Sequence, residues 1–358
     1  MYRIPYYLTG HTSKGFVNLL SEENLQACGR IVILQHESRT VKTAVIKSAL
    51  ELVQPNDYEI ILSPEGADFL EGVIFNDQSL AILTDKLLES ANLPCRILDK
   101  VEYVDLTNRF TQNSVENKDL QVLKDACNDA YHDLSTGLAI HDELESVYVN
   151  KMDFQKADDT AASLARKLLA SVPSSERESV IKRRLFGTNT PDGVVNIVPD
   201  LLKQTARVHF IHGRAGTGKS TLMKYIANAC IEKGLDLEFY HCSFDPKSID
   251  MVRVPELDYA IFDATDPHAF NPNSSNKQHE IIDTYELFVE KGTDELFAEE
   301  INDVHDRYKA FTKKGVQHLK TAGEAIKRME APYLEEKKLI DIKNGAKDIA
   351  SEIFAHSL

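Results

Sequence analysis

Apolar residues fall in two rhythms along this chain. Short unbroken runs, Ile31–Leu34, Tyr58–Leu62 and Leu80–Leu83, and again Val208–Ile211, Leu237–His241 and Tyr259–Phe262, have the length and the β-branched or aromatic content of buried strands. After the first run of each set, apolar residues recur three and four apart, over Lys42–Leu52 and Lys219–Lys233, which predicts a helix. A polar connection joins the second run to the third. Strands alternating with helices predict parallel βαβ units and an α/β fold. The remainder of each set, roughly residues 117–169 and 278–358, is rich in Ala, Leu, Glu and Lys at helical spacing and predicts a helical tail. Ser171–Ser179, SVPSSERES, carries a proline and a serine cluster and predicts a linker.

The two sets read as one unit written twice. GRIVILQHESRTVKTA, from Gly29, aligns with ARVHFIHGRAGTGKST, from Ala206, an offset of 177 residues (206 minus 29). Lys42 then matches Lys219, and Thr43 matches Ser220. GHTSKGFVN (Gly10) resembles GTNTPDGVVN (Gly187), LEGVIFNDQSLAILTD (Leu70) resembles IDMVRVPELDYAIFDA (Ile249), and VDLTNRF (Val104) resembles IDTYELF (Ile282). IHDELESVY (Ile140) resembles VHDRYKAF (Val304). Five matches in one order predict a tandem duplication, with domains over residues 1–175 and 180–358.

Composition narrows the function. A formal charge of -15 argues against a general nucleic-acid binder, which shows a basic face. The run Lys182-Arg183-Arg184 is a short basic candidate, more simply read as a solvated helix end. Five cysteines without CxxC or Cys/His spacing predict neither a disulfide framework nor a zinc site. No secretory signal opens the chain, and no apolar stretch reaches the roughly 18 residues of a membrane span. A cytoplasmic setting is therefore expected.

The chemistry concentrates in Gly213-Arg214-Ala215-Gly216-Thr217-Gly218-Lys219-Ser220, followed by Thr221, which satisfies the Walker A pattern GxxxxGK[ST]. A loop that wraps a phosphate chain with its own N–H groups needs glycines for the backbone angles and the close approach. The helix after it adds its positive end. Lys219 is expected to reach the β- and γ-phosphates, and the Ser220 hydroxyl to ligate Mg²⁺. Tyr259-Ala260-Ile261-Phe262-Asp263 is an apolar run ending in an acid, as a Walker B strand requires for Mg²⁺. An Asp that merely caps the next turn is the alternative. Asp266 and His268 follow closely and are candidates to face the γ-phosphate. His241 and Asp245 are weaker candidates for orienting a nucleophile, against a plain turn capped by Asp245. Arg214 is a candidate for phosphate contact or for closing the site. The pairs His141-Asp142 and His305-Asp306 are read as helix packing before catalysis.

The first copy keeps the lysine and loses the cradle. His36, Arg39 and Val41 stand where the second has Gly213, Gly216 and Gly218, and Thr84 stands where it has Asp263. Side chains there obstruct a backbone nest, so this copy is expected to hold no triphosphate and to serve as a packing partner or regulatory surface.

GRAGTGKSTLMKYIA, HCSFDPKSID and PELDYAIFDATDPH resemble a little-characterised bacterial family of tandem P-loop ATPase-like proteins, across nearly the whole chain. The resemblance implies two tandem P-loop NTPase-like parallel-sheet domains, ATP binding and hydrolysis, and no particular substrate. Neither Asn117-Lys118-Asp119-Leu120 nor Asn276-Lys277-Gln278-His279 supplies the guanine-reading NKxD pattern, which favours ATP. The leading expectation is a Mg²⁺-dependent ATPase whose acidic helical tails contact a protein partner. A small-molecule or nucleotide kinase and a non-catalytic ATP-binding regulator are the alternatives.

Overall fold

A computed structural model describes residues 5–110, 117–265, 270 and 278–355. Sixteen strands form among them: β1 (Tyr6–Tyr7), β2 (Thr9–Thr12), β3 (Gly15–Asn18), β4 (Arg30–Gln35), β5 (Tyr58–Leu62), β6 (Leu70–Phe75), β7 (Leu80–Thr84), β8 (Val101–Asp105), β9 (Ile181–Leu185), β10 (Gly187–Thr190), β11 (Gly193–Asn196), β12 (Arg207–His212), β13 (Leu237–His241), β14 (Ile249–Val254), β15 (Tyr259–Asp263) and β16 (His279–Asp283). Twelve of them make one sheet in the order β16-β12-β15-β14-β13-β9-β1-β5-β6-β7-β4-β8. Read outward from its centre, each half lays down its strands in the same sequence. The halves join where β1 meets β9 antiparallel, Tyr7 opposite Leu185. A four-stranded sheet, β11-β10-β2-β3, repeats the symmetry, with His11 opposite Asn189.

The sheet is mixed, which corrects the expectation of purely parallel units. Six of its eleven neighbour pairs are parallel and five antiparallel. The segments expected as polar connections contain β6 and β14, which run back antiparallel between the second and third strands of each half. LEGVIF and IDMVRV are buried along most of their length, and each carries one acid, Glu71 or Asp250, that disguises the strand. A second correction lies at residues 279–283: they form edge strand β16 on β12 rather than the start of a helical tail.

Six longer helices complete the layers: α1 (Arg39–Val53), α2 (Asn117–Val149), α3 (Phe154–Leu169), α4 (Lys219–Ile231), α5 (Ala298–Glu330) and α6 (Glu336–Ala355). Strand alternation distributes the apolar residues to both faces. In β4, Ile31 and Ile33 enter a core shared by both halves with Phe210 and Phe262, while Val32 and Leu34 face α1. The tails are exchanged. Helix α6 packs Ile342, Ala346, Ile349 and Ile353 against α1 of the first half, and α3 packs Ala161, Ala165 and Leu168 against α4 of the second. Helices α2 and α5 lie antiparallel, with Arg307 paired to Glu143 and Arg328 to Asp119. They begin 181 residues apart (298 minus 117), so the resemblance of the His-Asp strings at an offset of 164 (304 minus 140) does not relate symmetric positions.

Lys182-Arg183-Arg184 is not a solvated helix end. It lies on β9 at the join of the halves, where Arg184 is buried. Arg184 pairs with Glu59 at 2.7 Å and Glu238 at 3.0 Å, and its guanidinium lies 4.0 Å from the centre of the Tyr6 ring. Lys182 reaches Glu59 at 3.0 Å. Burial acts to raise the Glu59 carboxyl, but Arg184 and Lys182 outweigh it and hold it down to about 2. The linker is pinned: Arg177 donates to the Gly234 carbonyl at 2.7 Å and pairs with Asp236 and Glu256.

Candidate functional site

Strand β12 ends at His212, and α4 begins at Lys219, so the loop between them is the predicted phosphate loop. Gly213, Gly216 and Gly218 all have positive φ, at 151°, 72° and 84°. Space adds a second constraint. A Cβ on Gly213 would stand 2.1 Å from the Thr284 Oγ1, and one on Gly216 would stand 2.5 Å from the Glu145 carbonyl oxygen. No side chain satisfies both demands, so the glycines are required by the backbone and by what covers it. Thr217 is fully buried; its hydroxyl donates to the Arg214 carbonyl at 2.8 Å and lies 2.7 Å from the Thr284 Oγ1.

Lys219 Nζ donates back across the loop to the Arg214 carbonyl at 2.7 Å and lies 3.5 Å from Asp263 Oδ2. The two residues predicted to share phosphate and metal chemistry are thus brought together from the start of α4 and the end of β15. The other oxygen of Asp263 accepts from the backbone N–H and hydroxyl of Thr265, so the turn-capping reading of this residue is also realised. The Ser220 Oγ is buried and has no hydrogen-bond partner among the described residues. A buried hydroxyl without a partner among the described residues, beside an Asp and a Lys, fits a hard cation and its oxyanion. No group of three or more His, Cys, Asp or Glu forms a ready-made cage among the described residues. Mg²⁺ held by one or two protein oxygens and by substrate phosphates needs none.

The loop opens into a cavity of about 1750 Å³. Its walls come from both halves: Glu145, Tyr148 and Met152 from the first tail, and His305, Tyr308 and Lys309 from the second. Ala215 and Thr221 line it with the rest of the loop. Arg214 pairs with Asp294 at 2.7 Å, and the Tyr148 hydroxyl donates to the same carboxylate at 2.9 Å. Arg214 therefore ties the loop to its cover, and this hydrogen bond raises its pKa. Asp245 lines the cavity and accepts from the Lys247 N–H in a turn. His241 is buried away from it, its Nδ1 2.9 Å from the Pro246 carbonyl, and it takes no part in the cavity wall. His141 and His305 line the cavity and both pack on Tyr308. Asp266 and His268 lie outside the described residues.

Asp250, unremarked in the sequence, also lines the cavity. The β14–β15 register, Met251 opposite Phe262, puts it across from Asp263. Burial, with Asp263 close by, pushes its carboxyl up to about 7. The repeat held a signal for it, since Glu71 occupies the same place on β6 and is likewise pushed up to about 7 by burial. Thr284, Asp294 and Glu145 carried no signal, because their roles depend on which segments fold over the loop.

The equivalent place in the first half is closed. Helix α1 begins at Arg39, three residues before Lys42, so the positions of Gly216 and Gly218 are helical. Ser38 caps this helix, accepting from the Val41 N–H at 3.2 Å. Lys42 pairs with Asp85 at 2.5 Å, and Arg39 with Glu65 at 2.6 Å. Burial acts to raise Glu65, but Lys86 and Arg39 hold it well below the usual carboxylate range.

No helix among the described residues is long and apolar enough to cross a membrane. Comparison with family models, curated proteins and solved structures finds no match to this chain, so its functional reading rests on its own residues and their geometry.

Proposed function

We propose that this chain binds ATP with Mg²⁺ at Gly213–Thr221 and hydrolyses it, with a first half that is a related P-loop-type unit without a nucleotide. One observation carries the reading: three glycines at positive φ lead into the N-terminus of α4, where the Ser220 hydroxyl is buried without a partner among the described residues and Lys219 lies 3.5 Å from Asp263. Loop N–H groups and the end of α4 would cradle the phosphates. Lys219 would exchange its bonds to Arg214 and Asp263 for bonds to the β- and γ-phosphates, neutralising charge as it develops on the leaving group. Ser220 and Asp263 would hold Mg²⁺, which when bound supplies Lewis-acid stabilisation of the phosphate oxygens. The cover from α2 and α5 would limit water at the reacting end, and the acidic surface of α2 is where a protein partner would dock.

A kinase is the second reading. A cavity of about 1750 Å³ exceeds the roughly 300–1,000 Å³ of a single small-molecule site and leaves room for an acceptor. Turnover separates the two. Phosphate released from MgATP by the purified chain alone supports the ATPase; radiolabel transferred only in the presence of a metabolite extract supports the kinase. ATP bound without either outcome leaves a nucleotide-responsive regulator, and failure to bind ATP refutes the proposal.

A further inference from the structure

The first half has lost its glycines, yet the N-terminus of α1 is not bare. The carboxylate of Glu330, the last residue of α5, sits on it. Glu330 Oε1 accepts from the Arg39 N–H at 2.9 Å, and Oε2 accepts from the Thr40 N–H at 3.1 Å and from the Ser38 hydroxyl at 2.7 Å. The Arg39 guanidinium stands 3.5 Å from Oε1. Glu330 is 2% exposed, and it arrives from the tail of the other half, 291 residues along the chain from Arg39. Two backbone N–H groups at a helix start, a hydroxyl and a guanidinium converging on one pair of oxygens are the donor set of an oxyanion site. In the second half, Val149, the last residue of α2, lines the cavity over the open loop. One tail ends in a carboxylate over a closed nest and the other ends in a valine over an open one.

We propose that the first half retains a working oxyanion socket and that Glu330 is the anion it holds. The duplicated loop has exchanged a diffusible phosphate for a side chain of the same molecule. Filling the socket fixes the C-terminal end of α5, the helix that carries His305, Tyr308 and Lys309 into the cavity of the second half. The socket accordingly serves as an anchor for one wall of that cavity. The ligand class it fits is a compact tetrahedral or carboxylate oxyanion, and inorganic phosphate is the probe.

The test uses the full chain carrying Lys219→Ala, so that the second-half loop does not respond to phosphate. Adding Glu330→Ala is expected to lower the melting temperature by roughly 5 °C or more, because two N–H groups and the Ser38 hydroxyl at the start of α1 lose their buried acceptor. Millimolar phosphate, against chloride at equal ionic strength, should then restore part of that loss, and it should have no such effect on the parent. A third substitution, Ser38→Ala, should weaken the rescue. Unchanged melting in Glu330→Ala, or a loss that phosphate does not recover, overturns the proposal. Should Glu330→Ala not fold, the isosteric Glu330→Gln is followed by amide exchange. Faster exchange at Arg39 and Thr40 and in the last turn of α5 supports the socket, and unchanged exchange refutes it.

Discussion

The two halves of the molecule part ways at the loop before α4 and its counterpart before α1, where a phosphate loop is proposed in one alone. In the second half, the lysine follows a loop of three positive-φ glycines, and the hydroxyl after it is buried without a partner among the described residues. In the first half, the same lysine follows a full helical turn, and every cation around it is matched: Lys42 to Asp85, and Arg39 and Lys86 to Glu65. A lysine and a helix start are therefore not enough. What separates the halves is a loop of positive-φ glycines that lines a cavity in one and, in the other, a helix start whose N–H groups are taken by Glu330.

The largest effect expected from this comparison is on nucleotide binding. Lys219→Ala should weaken ATP binding by about 100-fold, the worth of a lost charge-assisted contact to phosphate. Lys42→Ala should leave ATP affinity within about twofold; fluorescence titration with an ATP analogue reads both. Next comes the join that makes the halves one body. Arg184→Ala leaves the buried Glu59 with Lys182 and Tyr6 and the half-buried Glu238 with Arg253 and Tyr240, and should cost about 3 kcal/mol in urea unfolding. Loss of under about 1 kcal/mol would show that the cluster does not hold the halves together. Gly216→Ala combines a φ of 72° with a Cβ 2.5 Å from the Glu145 carbonyl, so it should cost about 1–3 kcal/mol and loosen the α2 cover. The same unfolding assay checks the cost, and amide exchange in the last turns of α2 checks the cover.

The smallest expected effect is a pH dependence. Burial raises the folded-state pKa of Glu71 to about 7, above its unfolded value. Its contribution to stability is full below the unfolded pKa and is lost as pH rises through about 7. Glu71→Gln should gain roughly 1–2 kcal/mol over the wild type at pH 8 relative to pH 5. A difference independent of pH would show that Glu71 titrates normally.

Much of this was legible in the sequence, and the failures have physical causes. The apolar runs located β4, β5, β7, β12, β13 and β15, because strands buried on both faces read as continuous apolar segments. β6 and β14 were missed because Glu71 and Asp250 interrupt theirs, each a buried acid that local pattern reads as solvent-facing. The basic run at residues 182–184 was misplaced for the opposite reason: its carboxylate partners, Glu59 and Glu238, lie more than 50 residues away in sequence, and charge alone implies exposure. The glycine loop and the acid ending β15 were legible because the patterns that mark them are contiguous in sequence. The exchange of tails, the cover over the loop and the seat of Glu330 were not, since each depends on long-range packing that leaves no local mark.

Stoichiometry tests the central claim most directly. Isothermal titration of the full chain with MgATP should give one site per chain, abolished by Lys219→Ala and retained in Lys42→Ala. Two sites per chain, or one that survives Lys219→Ala and vanishes with Lys42→Ala, would contradict the account of an open second half and a closed first.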